Sequence, residues 1–173
     1  MEPFVHLHVH SQFSLLDGQA AINDLVDKAI ADGMPGIALT DHGAMFGIKE
    51  FYNYVEKKNS GHNATLKDCR RELDQLNDSK SADMLTDEER NRIVKLQQKI
   101  EETKKLLFKP ILGCEAYCAR RTRFDKDNQI SDPYHPRRSI DASGWHLILL
   151  AKNLRGYKNL IKMVSYSWTE GQY

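Results

Sequence analysis

The segment from Phe4 to His10 alternates strictly, with Phe4, His6, His8 and His10 at one parity and Val5, Leu7 and Val9 at the other. In an extended chain this period of two puts the imidazoles on one face and the aliphatic side chains on the opposite one. Such a strand belongs at the border of a core, with one face packed and the other left for imidazole chemistry. His8 and His10 then stand about 7 Å apart along the backbone, at a rise of roughly 3.3 Å per residue, and both can reach one metal ion. An isolated pair at this spacing also fits an ordinary half-buried strand. The rest of the chain has to decide between the two.

Helix and strand patterns alternate after this segment. A polar turn through Asp17 and Gly18 leads to a helix carrying Ile22, Leu25, Val26, Ala29 and Ile30, with Gly33 as its cap. Gly36 to Thr40 (GIALT) reads as a short apolar strand, followed by Asp41, His42, Gly43 and a helix through roughly Tyr54. Pro110 to Tyr117 (PILGCEAY) and Trp145 to Ala151 (WHLILLA) read as further strands, the latter buried. A last amphipathic helix carries Leu160, Ile161, Val164 and Tyr166. The fold class expected is α/β with parallel strands, in one domain over residues 1–173.

The rhythm breaks between roughly Asn59 and Phe108, where charge dominates. Leu66, Cys69, Leu73 and Leu76, then Ile93, Leu96, Ile100 and Leu107, give two helices with one narrow apolar stripe each. Thr86 and Glu89 form a capping box, and Asn77 to Ala82 supplies the turn. An antiparallel helical hairpin inserted at 60–108 is expected, as a partner-binding arm or as an ornament.

The length of 173 residues suffices for one ordinary domain with a core of its own. Lys and Arg total 25 against 24 for Asp and Glu, so the net charge of +1 provides no long-range pull toward nucleic acid or a membrane. Cys69, Cys114 and Cys118 form no paired framework, which fits a reducing cytoplasm. The opening MEPFVHLHVH has no basic start or long apolar core, and no run approaches a membrane span, so a soluble, unexported protein is expected. The loop from Ala119 to Ser143 bears Arg120, Arg121, Arg123, Lys126, Arg137 and Arg138 but few aromatics, and reads as solvated rather than as a nucleic-acid surface.

Ligand-type residues fall where α/β folds place their chemistry. Asp17 lies in the loop after the first strand and Asp41-His42 ends the second, so both face the carboxyl-terminal rim of a parallel sheet. Glu115 is a carboxylate in an apolar strand and needs a positive partner if buried. A metal ion would supply it. His146 opens its strand, whereas rim residues of a parallel barrel close theirs. Asp41 has two readings, orienting His42 or a neighbouring ligand, or capping the next helix. His6 reads as a core or supporting histidine, and His62 and His135 as exposed.

Taken in order, FVHLHVHSQFSLLDG, GMPGIALTDHGAMFG, KPILGCEAY and HLILLAKNLRGYKNLIKMVS resemble the opening of the PHP domain of bacterial DNA polymerase III alpha subunits. The resemblance covers nearly the whole chain outside the helical hairpin. It implies a distorted TIM-like barrel, here partial, whose rim holds zinc, manganese or iron. Carried over by position, the metal ligands are His8, His10, Asp17, His42, Glu115 and His146, with Glu115 bridging and with Asp17, His42 and Glu115 in the catalytic role. One ion would take His8, His10 and Glu115, a second Glu115 and His146, and a third Asp17 and His42. The family's remaining ligands, a Cys or His and a late Asp-x-His motif, fall beyond this sequence. The implied reaction is phosphoester hydrolysis, in the polymerase setting a proofreading 3′–5′ exonuclease, with DNA and other replisome subunits as partners. A structural domain bracing the polymerase is the alternative. For this chain alone the expectation is an incomplete, inactive site and open strand edges that favour homo-oligomers.

Overall fold

The computed structural model describes residues 4–79, 85–127, 129–142 and 144–171. The chain divides into two compact units, Met1–Tyr52 with Pro110–Tyr173, and Asn53–Lys109. Its elements in order are α1 (Ile22–Ala31), β1 (Gly36–Leu39), α2 (Ile48–Lys58), α3 (Ser60–Ser79), α4 (Asp87–Leu106), β2 (Lys109–Cys118), β3 (Trp145–Leu150) and α5 (Leu154–Thr169).

In the first unit the apolar stripe of α1 buries Ile22, Val26 and Ala29 beside the buried β1 residues Ile37, Ala38 and Leu39. The helix ends at Asp32, and Gly33 takes the left-handed conformation (φ +74°) that turns the chain toward β1. The three strands order as β1-β2-β3. The expected all-parallel arrangement does not hold, because β3 runs antiparallel to β2, with Glu115 opposite Ile148 and Tyr117 opposite His146. Nor is β3 buried as expected. It is an edge strand, and Trp145, Leu147 and Leu150 are exposed.

The expected first strand is also corrected. Residues 4–10 run beside β1, where the His6 and Val9 carbonyls accept from the Ala38 and Thr40 N–H groups at 2.9 Å each. The Val9 N–H, however, donates to the Thr40 hydroxyl at 2.9 Å instead of to a backbone carbonyl, which breaks the ladder. The segment is therefore a lateral strap, half-buried at Val5 and Val9 and exposed at Leu7. His6 is exposed, packed edge-on to Phe4, and is no core histidine.

In the second unit Leu66 and Cys69 of α3 pack with Leu96 and Ile100 of α4, flanked by Leu73, Leu76 and Leu107. Arg92 grips Glu72 with two hydrogen bonds of 2.6 and 2.9 Å. The buried Asn59 side chain spans the neck, donating to the Phe108 carbonyl at 2.8 Å and accepting from the Phe108 N–H at 3.0 Å. With α3 starting and α4 ending at that neck, the two helices are antiparallel. The Thr86–Glu89 capping box opens α4. The expected turn at 77–82 is shifted, since α3 continues through Ser79, and residues 80–82 lie outside those described.

Candidate metal centre

Three backbone devices bring the candidate residues together. At the end of β1, His42 bridges in parallel to Glu115, with Gly43 N donating to the Glu115 carbonyl at 2.7 Å and Glu115 N to the Asp41 carbonyl at 3.1 Å. Within β2, Glu115 and Tyr117 share a face by the period of two. The reversed direction of β3 then places His146, near the start of its strand, at the end where β1 finishes. This removes the conflict over His146 that a parallel sheet raised.

The fourth device is a buried carboxylate. Asp41, 1 % exposed, accepts from Ser11 N at 2.6 Å, from the Ser11 hydroxyl at 3.0 and 2.9 Å, and from the Ser14 hydroxyl at 2.7 Å. Ser14 in turn accepts from the His42 N–H at 3.1 Å. Among the described residues Asp41 thus makes no hydrogen bond to α2 or to the His42 ring, and its bonds to Ser11, next to His10, are of the kind that orients a neighbouring ligand. It pins the single helical turn Gln12–Ser14 between His10 and Asp17. Gly18 closes that loop, since a Cβ there would run into the Ser11 carbonyl.

The side chains converge on Glu115, which is 2 % exposed. Its Oε2 lies 2.6 Å from His8 Nε2 and 2.8 Å from His10 Nε2, and the two imidazole nitrogens are 2.9 Å apart. Its Oε1 lies 2.7 Å from His146 Nδ1 and 3.2 Å from His42 Nδ1. His42 Nδ1 is also 3.3 Å from Asp17 Oδ2. Burial pushes the Glu115 carboxyl up, but hydrogen bonds from His10 and His8 and the charge of His146 outweigh it, so the group sits below its ordinary value. The neighbouring Cys114 thiol, fully buried 3.5 Å from the Asp41 and Glu115 carbonyls, is pushed up to about 11, chiefly by that burial.

All six expected residues, joined by Tyr117, line one open pocket of about 520 Å³. His8, His10 and Glu115 offer ligand atoms within 4.8 Å of one another, and so do His10, Asp17 and His42. The first trio matches the expected first ion. In the second, Asp17 and His42 are joined by His10. His146 meets Glu115 outside both trios.

Hydrogen bonding alone does not account for this packing. Glu115 Oε1, His10 Nδ1 and His42 Nδ1 are buried, yet among the described residues none has a hydrogen bond of acceptable geometry. Of these, Glu115 Oε1 and His42 Nδ1 lie 3.2 Å from each other, and 2.7 Å from His146 Nδ1 and 3.3 Å from Asp17 Oδ2 respectively, without donors aimed at acceptors, and so face a shared point in space, as ligands of a cation do. Mixed imidazole and carboxylate donors fit a divalent transition metal.

Sequence reasoning missed Tyr117, whose hydroxyl lies 2.5 Å from His42 Nε2 and whose ring packs edge-on to His42 and His146. Its signal was its parity with Glu115 on β2. Ser11 and Ser14 were also missed, since nothing local links them to Asp41. The loop arginines are not simply solvated as expected. Arg120 pairs with Asp132 under the Trp145 ring, Arg121 with Asp141, and Arg123 with Glu170. His135 is exposed as expected, whereas His62 is half-buried in α3. No helix among the described residues is long and apolar enough to cross a membrane.

Comparison with known proteins fits this geometry. The chain is 36 % identical over 170 residues to the DNA polymerase III subunit alpha of Borreliella burgdorferi, covering 98 % of this chain and 10 % of that protein. The corresponding subunits of Chlamydia pneumoniae and Aquifex aeolicus are 33 % and 31 % identical over 170 residues, with 98 % of this chain and 9 % and 10 % of those proteins covered. The chain thus spans about a tenth of the length of these relatives. The PHP domain profile matches residues 6–173, from the strap that carries His8 and His10 to the end of the chain, and the chain belongs to the PHP domain family.

Proposed function

We propose that this chain is the metal-dependent phosphoesterase module of a replicative polymerase alpha subunit, with His8, His10, Asp17, His42, Glu115 and His146 as metal ligands. The observation that carries it is the convergence of four imidazoles and two carboxylates on one pocket, with Glu115 Oε1 buried and lacking a hydrogen bond. Zinc, manganese and iron suit this donor set. Bound there, such ions supply positive charge and activate water for attack on phosphorus near neutral pH.

The chain's own residues divide the work. Glu115 presents one oxygen to His8 and His10 and the other to His42 and His146, so it ties the two sides of the centre together. Asp17, about half exposed at its side chain, and the exposed His8 and His146 mark the open side by which a phosphate would enter. In the polymerase setting the substrate is a primer 3′ end, and the activity a 3′–5′ exonuclease in the cytoplasm, with DNA and the other replisome subunits as partners of the whole protein. The helical hairpin at 60–108 is an insertion in one PHP domain spanning 1–173, and the exposed apolar residues of edge strand β3 support self-association of the isolated chain.

The test is manganese-dependent release of nucleotides from a primer terminus by the whole subunit, which His10→Ala abolishes while polymerisation persists. Metal binding that raises thermal stability, with no release by the wild type, would leave the centre a structural brace.

A further inference from the structure

We infer that Tyr117 sets which nitrogen His42 offers to the centre, acting as a positioning residue through the His42 ring; this rests on the metal-centre reading above. The Tyr117 hydroxyl is 2.5 Å from His42 Nε2, while Nδ1 of the same ring is 3.3 Å from Asp17 Oδ2 and 3.2 Å from Glu115 Oε1. A neutral imidazole carries one proton, and its two nitrogens point in different directions. The ring can therefore serve a cation through one nitrogen only. Engaging Nε2 with a phenol reserves Nδ1 for the side where the carboxylates lie.

The phenol is suited to this because it both donates and accepts. Without metal, the carboxylates beside Nδ1 favour a proton there, and Nε2 then accepts from the Tyr117 O–H. Were Nδ1 to hold a cation, the one ring proton would sit on Nε2 and donate to the phenol oxygen. One contact thus serves both states without movement of the ring. The edge-on packing of Tyr117 against His42 and His146, at centroid distances of 4.9 and 4.7 Å, keeps the hydroxyl in place. A ring-only role for Tyr117 would depend on that packing and not on the hydroxyl.

The variant that separates the two roles is Tyr117→Phe, which keeps the ring. In the 173-residue chain, the His42 ring nitrogens are followed by long-range ¹H–¹⁵N correlation at about pH 8, above the ordinary imidazole range. Zn²⁺ is then added, and its affinity is measured by competition with a chromophoric chelator. The expected result is a wild-type proton on Nδ1 without metal and on Nε2 with it, the same tautomers but a displaced Nε2 resonance in Tyr117→Phe, and a roughly 10- to 100-fold loss of affinity at the Asp17/His42 group. Binding through His8, His10 and Glu115 should change little. An unaltered Nε2 resonance and affinity in Tyr117→Phe overturn the inference. If the wild type binds no Zn²⁺, the metal-centre reading fails, and the metal-free Nε2 comparison still decides the role of Tyr117. Should Tyr117→Phe not fold, 3-fluorotyrosine placed at residue 117 keeps the shape and strengthens the donor. It must then shift the His42 Nε2 resonance, and no shift overturns the inference.

Discussion

Asp41 is the residue whose removal should most clearly separate the strap and loop from the sheet. Its carboxylate serves three donors, the Ser11 N–H, the Ser11 hydroxyl and the Ser14 hydroxyl, and Ser11, Ser14 and Asp41 are all buried. A hydrogen bond to a charged group contributes about 1.5–3 kcal/mol, but the three do not simply add. In Asp41→Ala the hydroxyls can turn toward other acceptors, while the Ser11 N–H is left buried without its partner. A net cost of about 3–5 kcal/mol is expected, which at roughly 2–4 °C per kcal/mol for a chain of this size lowers Tm by about 10 °C. Asp41→Asn keeps an acceptor oxygen for the Ser11 N–H and should cost about 1–2 kcal/mol. Tryptophan fluorescence reads this well, because Trp168 donates to the Gly43 carbonyl two residues from Asp41. Since the loop carries Asp17, Asp41→Ala should also weaken Zn²⁺ binding by His10, Asp17 and His42. If urea unfolding gave Asp41→Ala a stability within about 1 kcal/mol of wild type, the buried carboxylate would not be what holds this loop.

Two further outcomes follow from other parts of the fold. Glu115 has its carboxyl held below the ordinary value of 4.5, so without metal its contribution to stability is fully present above that pH and is lost as the pH falls through the lower, folded-state value; a Tm that rose on acidification in that window would contradict it. Asn59→Ala strips both backbone groups of the buried Phe108 of their partners and should cost about 2–5 kcal/mol in the second unit, read from the urea midpoint of the helical circular dichroism signal.

What the sequence revealed of this site and what it hid have separate physical causes. His8, His10, Asp17, His42 and Glu115 were legible because each sits at a chain position with a local signature: alternation in the strap, a loop or strand end, or a charge inside an apolar run. The capping box at Thr86 was legible for the same reason, since both partners lie within one turn of helix. The Asp41 network was not, because Asp41 and Ser11 are separated by 30 positions and no periodicity links them. The pairing of Arg123 with Glu170, 47 positions apart, was hidden in the same way, and a run of basic residues looks solvated until its partners are known.

Strand direction is the most consequential nonlocal property here. An apolar run such as WHLILL has the same composition whichever way it is threaded, and only pairing with β2 fixes that the chain enters at His146 opposite Tyr117. In a parallel sheet the first residues of a strand lie far from the carboxyl-terminal rim, and His146 could not reach Glu115. Reversal of β3 puts its beginning beside the end of β2, which is why His146 Nδ1 comes within 2.7 Å of Glu115 Oε1. Strand order, and not direction, leaves β3 at the edge of the described sheet with Trp145 and Leu147 exposed, so the reversal completes the cluster while the order β1-β2-β3 leaves the sheet open.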